Sequence, residues 1–308
     1  MKGVITIFAL PQELEDLALT LHMLKRNSAY PYEGVNYKVE VTMCLSDSLT
    51  DWGKSKLPKE YVRERTGELC DKFLSGWSQY HLRIMDDTDD EILGCVSQRR
   101  ISLEKNQDAD FFIWLDCDFI FKDTTLYYMT AAYVMGLATG VSKFVITPQF
   151  VKQWDNTWDI LVNDAYWNKP LNYHEQSNVY VDTLPQLNEI VFKEVNAFKF
   201  AGGWFTLISG SLLRKIGVPI ELGHYGLEDT YVIECCKIIQ SRGEEVHQFI
   251  LDNLIIGESY TNRPNQTIKS YIASKSRKDE FTKIAHENFP KVIKEFYERS
   301  NSSINGLQ

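Results

Sequence analysis

The sequence of 308 residues has no apolar run long enough to cross a bilayer. Its opening residues 1–8 are apolar over too short a stretch for a signal sequence, and they predict a first strand instead. We therefore expect a cytoplasmic protein with no membrane span. The six cysteines show none of the spacings typical of metal sites, so we expect free thiols in a reducing compartment.

The chain also has no excess of positive charge. It contains 33 Lys and Arg residues against 42 Asp and Glu residues, which gives a formal net charge of -9. This balance does not support non-specific binding to nucleic acid, although a local basic patch is compatible with it. No internal repeat or clear linker divides the sequence. With 44% hydrophobic residues, the chain can form one large α/β domain or a domain with a helical appendage.

Strand-like and helix-like segments alternate along the first part of the chain. Residues 4–10 predict a strand, residues 13–25 an amphipathic helix, and residues 35–45 a second strand. This order predicts a βαβ unit with parallel strands. Further strands are predicted at residues 80–85, 111–115, 144–147 (ended by Pro148), 204–209 and 246–256, and further helices at residues 92–103, 126–137, 211–216, 228–241 and 281–299.

The most informative stretch of the sequence is residues 110–118. Phe111 to Leu115 is continuously apolar and rich in aromatic residues, which predicts a central strand covered on both faces. It ends in Asp116 and Asp118, two carboxylates that repel each other unless a cation lies between them. Oxygen ligands of this kind suit Mg²⁺ or Mn²⁺, which often bind substrate phosphates as well. A solvated turn is the alternative, since Asp-x-Asp occurs twice more in this acidic chain.

Other charged residues lie near the ends of predicted elements. Asp47 follows the second strand and could be a ligand or a turn or helix cap. Arg99 and Arg100 lie in the helix before the central strand, where they could bind a diphosphate or form surface salt bridges. Glu228 and Asp229 lie at the start of a helix, where the helix dipole alone would stabilise carboxylates. Each of these residues therefore has a structural alternative.

The region from residue 149 to residue 199 interrupts the regular order. It combines many aromatic residues with Asn and Asp, a composition typical of a substrate-facing lid or groove wall. Packing onto the sheet explains any single aromatic residue there equally well. The glycines Gly202 and Gly203 follow, just before Trp204, and would let the backbone approach a ligand closely.

Three motifs thus occur in order: the strand ending in Asp116 and Asp118, the Gly202–Trp204 loop, and the Gly226–Asp229 segment at a helix start. Together they resemble the GT-A fold glycosyltransferases, especially the large family-two-like group. The sequence is also similar to glycosyltransferase-like proteins of tailed phages, in which the runs Ile7-Phe8-Ala9-Leu10-Pro11 and Leu57-Pro58-Lys59 would be at home. The resemblance covers residues 1–256 and concerns fold and reaction class, without reaching the identity of the sugars.

The resemblance implies an α/β fold of the GT-A type, with a Rossmann-like mixed, mostly parallel sheet flanked by helices and a C-terminal helical extension. Residues 1–258 would form the transferase domain, with residues 149–199 as an acceptor-side insertion and residues 259–308 as the extension and tail. A nucleotide-diphosphate sugar would bind across the carboxyl ends of the strands. The acceptor would be a glycan, a lipid or a protein, in the cytoplasm of the host if the protein is phage-encoded.

The resemblance also implies which residues bind the donor. Leu10 and Asp47 would line the nucleoside pocket, while Gly203 and Trp204 would contact the donor sugar or the acceptor. The pair Asp116 and Asp118 would hold Mn²⁺ or Mg²⁺ against the leaving diphosphate.

Two further implications concern the acceptor side and the third metal ligand. Asp229 matches the position of the base in inverting enzymes, and Glu228 would orient an acceptor hydroxyl. Many relatives carry a histidine metal ligand just after the last strand. This chain has none in that region, and Glu258 is the expected substitute. A retaining enzyme would use these carboxylates differently.

Three alternatives keep parts of this interpretation. The same chemistry on a hydroxymethylated base of phage DNA would need a cationic cleft, for which residues 54–65 and 275–278 are candidates, whereas the net charge argues against it. A noncatalytic sugar-binding or structural protein would have no reason to keep all the acidic candidates. A nucleotidyltransferase would need a glycine-rich loop with a basic residue after the first strand, and residues 9–13 do not form one.

Overall fold

The computed structural model describes residues 1–46, 57–86, 94–151, 159–160, 177–178, 192–194, 205–258 and 278–305. The strands are β1 Lys2–Ala9, β2 Asn36–Cys44, β3 Gln79–Met85, β4 Phe111–Asp116, β5 Phe119–Phe121, β6 Phe144–Val151, β7 Asp159–Ile160, β8 Ser177–Asn178, β9 Phe192–Glu194, β10 Phe205–Ser209 and β11 His247–Glu258. The helices are α1 Leu14–Asn27, α2 Lys59–Leu74, α3 Cys95–Lys105, α4 Thr125–Ala138, α5 Gly210–Ile216, α6 Glu228–Ser241 and α7 Lys278–Asn305.

The strands form one mixed sheet in the order β3-β2-β1-β4-β10-β6-β11-β5. The first four of these strands are parallel to one another, and β6 is parallel to β11. Strand β10 runs antiparallel to β4 and β6, and β5 runs antiparallel to β11. Helices cover the sheet, and α7 follows its last strand. The predicted mixed, mostly parallel α/β sheet with a C-terminal helix is confirmed.

The predicted central strand is confirmed as β4, which lies between β1 and β10. All five residues from Phe111 to Leu115 are at most 1% exposed. Successive side chains of a strand point to opposite faces. Ile113 accordingly packs in the core formed with α1, α2 and α4, whereas Trp114 packs in the core formed with α3, α5 and α6. A continuous apolar run is therefore what a strand buried on both faces requires.

One predicted strand end was wrong, and the short strand β5 was missed. The sequence predicts that Pro148 ends its strand, but β6 continues through Pro148 to Val151 beside β11. Proline has no backbone N–H to donate to a neighbouring strand. Strand β10 pairs with β6 only at Val145 and Ile146, so the pairing of β6 with β10 does not need a hydrogen bond from Pro148. The short strand β5 was missed, because a segment of three residues has no pattern of its own and is defined by its antiparallel pairing with β11.

Helix α7 packs against the body of the protein through Ala285, Val292 and Phe296, all of which are buried. The ring of Phe296 lies 6.3 Å from that of Tyr231 in α6. At the start of the helix, the Phe281 ring lies 5.2 Å from the ring of His224, in the loop that leads into α6. In the part of the chain that the structure describes, no helix is both long and apolar enough to span a bilayer. All six cysteines are free, as expected.

Candidate active site

Asp116 and Asp118 lie at the carboxyl edge of the sheet, the edge at which the parallel strands β1, β2 and β4 end. Asp116 is the last residue of β4 and pairs with Phe8 of β1, and its side chain is 49% exposed. Asp118 is half-buried in the turn between β4 and β5. In the antiparallel pairing of β5 with β11, Glu258 lies opposite Phe119, the residue after Asp118. The backbone thus brings all three predicted metal ligands to one place.

The donor set fits a hard divalent cation. Two carboxylates, completed by water and by substrate phosphate, are a common environment for Mg²⁺. Among the side chains that the structure describes, no group of three or more His, Cys, Asp and Glu residues could hold a metal ion. The side chain of Glu258 lies outside this description, as do the whole residues Asp47, Gly203 and Trp204.

Arg99 is the charged residue that joins the two halves of the site. It is only 4% exposed, and it ion-pairs with Asp116 of β4 and Glu228 of α6. Its Nη2 donates to Oδ1 of Asp116 at 3.1 Å, and its Nη1 donates to Oε1 of Glu228. The guanidinium lies 4.7 Å from the centre of the Trp114 ring, which adds a cation–π contact. One arginine therefore connects the end of the central strand to the start of α6.

Of the two neighbouring arginines, Arg99 differs from what the sequence predicts and Arg100 matches one of the predicted alternatives. The alternatives were a diphosphate ligand or a surface salt bridge. Arg99 forms a buried ion pair that neither alternative included, because its partner Glu228 lies 129 positions away in the sequence. Arg100 forms the salt bridge, with Glu104 one turn further along α3 at 3.1 Å. The structure thus gives both arginines protein carboxylates as partners.

Burial and pairing set the charges of this cluster. Burial raises the pKa of the Glu228 carboxyl, and Arg99 limits the rise because its positive charge favours the anion. Burial by itself would lower the pKa of Arg99, but attraction to Glu228 and Asp116 outweighs it and raises that pKa. Arg99 is therefore a permanent cation between two acidic residues.

The start of α6 places its two acidic residues in different environments. Leu227 has φ +66°, and it is the one non-glycine residue with positive φ among the described residues. Such a conformation costs energy and often marks a functional site. After this bend, Glu228 is 4% exposed, whereas Asp229 is half-buried. Asp229 accepts a hydrogen bond from the backbone N–H of Thr230 at 2.6 Å. Only Asp229 of the pair is open to a ligand.

Leu10 differs from its predicted role in the nucleoside pocket. Its side chain is fully buried in the core, so it presents no surface to a ligand. The chain forms a 3-10 turn over Pro11–Glu13, and the Leu10 N–H donates to Glu13 Oε2 at 2.8 Å. The same Glu13 oxygen lies 3.5 Å from Cys117 Sγ. Glu13 thus ties the end of β1 to the Asp116–Asp118 turn.

The residues that support the site were missed by the sequence analysis. The Val96 N–H donates to the His224 carbonyl at 3.2 Å, and the Ser97 hydroxyl lies 3.2 Å from His224 Nδ1. A Cβ added to Gly94 would lie 1.9 Å from that carbonyl oxygen, so only glycine fits there. Gly94 lies inside the helix predicted at residues 92–103, and a glycine near the start of a predicted helix was the available signal. Thr20 supports the Asp116–Asp118 turn. It could have been noticed in the sequence as a polar residue on the apolar face of the predicted helix.

No protein-family model and no curated protein matches the sequence. Solved structures do match. GalNAc-T7 with UDP, GalNAc and Mn²⁺ aligns with 98% of this chain and 58% of its own, at 13% identity and a TM-score of 0.51. The chain has a GT-A fold. At this identity the similarity concerns the fold alone.

Two further solved structures align less closely. S. aureus TarS 1-349 in complex with UDP-GlcNAc covers 93% of this chain and 71% of its own, at 12% identity and a TM-score of 0.48. The mannosyltransferase PcManGT from Pyrobaculum calidifontis, with GDP-Man and Mn²⁺, covers 89% and 62%, at 11% identity and a TM-score of 0.43. The chain spans 42% of the longer TarS structure and 58% of GalNAc-T7.

Proposed function

We propose that this protein is a metal-dependent glycosyltransferase that moves a sugar from a nucleotide-diphosphate sugar to an acceptor hydroxyl with inversion. One observation carries the proposal. Arg99 joins a carboxylate at the end of the central strand to the start of the helix that presents Asp229. The carboxylate pair that we propose binds a cation and the half-buried Asp229 are thereby held at one edge of a GT-A sheet. We also propose that the transferase domain of the protein spans residues 1–258.

The donor half of the site consists of Asp116 and Asp118. We assign them as ligands of Mn²⁺ or Mg²⁺, with Glu258 as a third ligand because its backbone pairs with Phe119. When bound, a divalent ion would supply positive charge to the diphosphate as it leaves. Asp47, Gly203 and Trp204 are assigned to the donor by resemblance alone.

The acceptor half of the site relies on Asp229. As a half-buried carboxylate, it is the member of its pair that can take a proton from an acceptor hydroxyl. The acceptor oxygen then forms a bond to the anomeric carbon. The bond from that carbon to the diphosphate oxygen breaks on the opposite side, and its electrons leave with the nucleoside diphosphate. The proton remains on Asp229.

Glu228 takes a different role from the predicted one of orienting an acceptor hydroxyl. Its Oε1 is bound by Arg99 and lies 3.7 Å from Cys95 Sγ, and the residue is 4% exposed. A carboxylate so enclosed cannot contact an acceptor directly. We assign it to fixing the first turn of α6, and with it the position of Asp229.

The acceptor is proposed to be a glycan, a lipid or a protein in the cytoplasm, that of a host cell if the protein is phage-encoded. A modified base of DNA is a weaker candidate. Within residues 57–65, Arg63 is 2.6 Å from Asp86 and Arg65 is 2.8 Å from Glu68. These described arginines therefore already have acidic partners in the protein.

A thermal-shift panel tests the proposal. Nucleoside diphosphates and nucleotide sugars would be added with and without Mn²⁺, since a ligand that binds the native state raises the melting temperature. We expect stabilisation by the ligands of one nucleoside, only with Mn²⁺, and its loss in Asp118→Ala. Asp108→Ala is the matched control, because this exposed aspartate pairs with Lys2 far from the site. Stabilisation by no donor, or equal stabilisation of Asp118→Ala, would contradict the proposal.

A further inference from the structure

Helix α1 buries three polar residues, Asp16, Thr20 and Asn27, and Thr20 lies among the leucines on the face toward the sheet. Leu17, Leu21 and Leu24 on this face are all fully buried, and Thr20 between them is 0% exposed as well. A buried hydroxyl is unfavourable unless it forms hydrogen bonds. An apolar residue at position 20 would need no hydrogen-bond partner. The partners of the Thr20 hydroxyl therefore indicate what this residue contributes to the structure.

The Thr20 hydroxyl bonds to both neighbours of Asp118. It donates to the carbonyl oxygens of Cys117 at 2.8 Å and Phe119 at 3.0 Å, sharing its one proton between them. It also accepts from the Phe119 N–H at 3.2 Å. Threonines within helices commonly bond back to their own helix, as Thr66 of α2 does with the Val62 carbonyl at 2.7 Å. Thr20 instead reaches across to the turn.

The bonds hold the turn that carries two like charges. Asp116 and Asp118 repel each other, so a turn held only at its ends could relax and separate them. Thr20 fixes the backbone on each side of Asp118 from within the core, through neutral groups. Because it uses backbone atoms, it does not occupy the carboxylate oxygens that a cation needs. Groups of this kind, behind the ligands, typically contribute to metal affinity.

We propose that Thr20 is a positioning residue that sets the divalent-cation affinity of the Asp116–Asp118 turn. The proposal rests on the function proposed above, and it adds a residue on a different element. It also gives α1 a part in the site, although α1 contributes no ligand.

Mn²⁺ binding to the full chain, without donor or acceptor, tests this role. Titration followed by the electron paramagnetic resonance of free Mn²⁺ gives the dissociation constant directly. We expect Thr20→Val, which keeps the shape and removes the hydroxyl, to weaken binding by about tenfold. Thr20→Ser should restore the affinity, and Thr20→Cys, a weak donor of similar size, should weaken it. Thr66→Val is the matched control, because it removes a buried threonine hydroxyl that bonds only within α2.

The outcomes separate this inference from the proposed function. Weakened binding in Thr20→Val and Thr20→Cys, with normal binding in Thr20→Ser and Thr66→Val, supports the positioning role. Wild-type affinity in Thr20→Val overturns it and leaves the metal site intact. If Thr20→Val does not fold, wild-type affinity in Thr20→Cys overturns the role in the same way. Absence of Mn²⁺ binding in the wild-type protein overturns both this role and the metal-dependent function.

Discussion

The two acidic pairs at the carboxyl edge are held in different ways. The Asp116–Asp118 turn is held through its backbone, by the neutral hydroxyl of Thr20. Glu228 is held through its own carboxylate, by the charge of Arg99. The difference is consistent with the function proposed for each pair. Carboxylates that bind a cation must keep their charge available, whereas a buried carboxylate needs a counter-charge because desolvation of an unpaired ion is costly.

Arg99 makes the comparison less simple, because it touches both pairs. Its contact with Asp116 is to a side chain 49% exposed, and its contact with Glu228 is to one 6% exposed. Solvent screens the first contact more than the second. The arginine is therefore mainly the counter-ion of Glu228, and its bond to Asp116 is a weaker link between the pairs.

The largest expected effect is on sugar transfer, and it should distinguish Asp229 from the Asp116–Asp118 pair. Asp229→Asn removes the proposed base, so sugar transfer should fall by about 10²- to 10⁴-fold. Stabilisation of the protein by Mn²⁺ and the donor should persist, because the Asp116–Asp118 turn is unchanged. Release of nucleoside diphosphate measures the first result, and thermal shift measures the second. Asp118→Ala serves as the comparison and should lose both. Retained transfer in Asp229→Asn would indicate a retaining mechanism or another base.

The next effect concerns stability. Arg99→Met should lower the free energy of unfolding by about 3–5 kcal/mol, because it leaves Glu228 buried without a counter-charge. Arg100→Met on the same helix is the control. Its salt bridge with Glu104 spans one turn at the surface, and such pairs contribute about 0.3–0.5 kcal/mol. Urea unfolding of both variants gives the two values. Equal losses in the free energy of unfolding would show that burial does not make the Arg99–Glu228 pair more important for stability than the Arg100–Glu104 pair.

The smallest effect concerns the contact between α3 and the loop before α6. Gly94→Ala would place a Cβ 1.9 Å from the His224 carbonyl oxygen, so the backbone has to shift. Overpacking of this kind typically costs about 1–3 kcal/mol. Gly67→Ala is the control, because the added Cβ has no atom within 4 Å and lies inside α2. It should stabilise the protein by about 0.5–1 kcal/mol. A neutral Gly94→Ala in urea unfolding would contradict the close approach.

The parallel half of the sheet could be predicted from local patterns. Strands β1 to β4 are continuous or alternating apolar runs separated by helices, and each pattern is complete within its own segment. The other half depends on pairing between distant segments. Among the described strands, β5 pairs with β11 alone, and the passage of β6 through Pro148 depends on where β10 stops. Such information is not present in any one segment of the sequence.

The same division applies to the candidate site. Asp116 and Asp118 could be selected as candidates because they directly follow a recognisable buried strand. The partner of Arg99 could not be predicted, since it lies on α6 and the contact depends on how α3 and α6 pack. Thr20 was detectable in principle from its place among the leucines of α1. Its partners, on the β4–β5 turn, were not.

The contact between Phe281 and His224 changes how the C-terminal helix is best regarded. A helix that follows the last strand is easily treated as a removable tail, and a shortened protein would naturally end near residue 258. Such a protein would lack Phe281, which contacts the loop that leads into α6, and Phe296, which contacts Tyr231 within α6. A gene encoding only the sheet and its preceding helices would thus produce a protein in which the loop leading into α6, just before the proposed base Asp229, loses this contact. For the proposed transferase, we therefore expect the smallest active form to include α7.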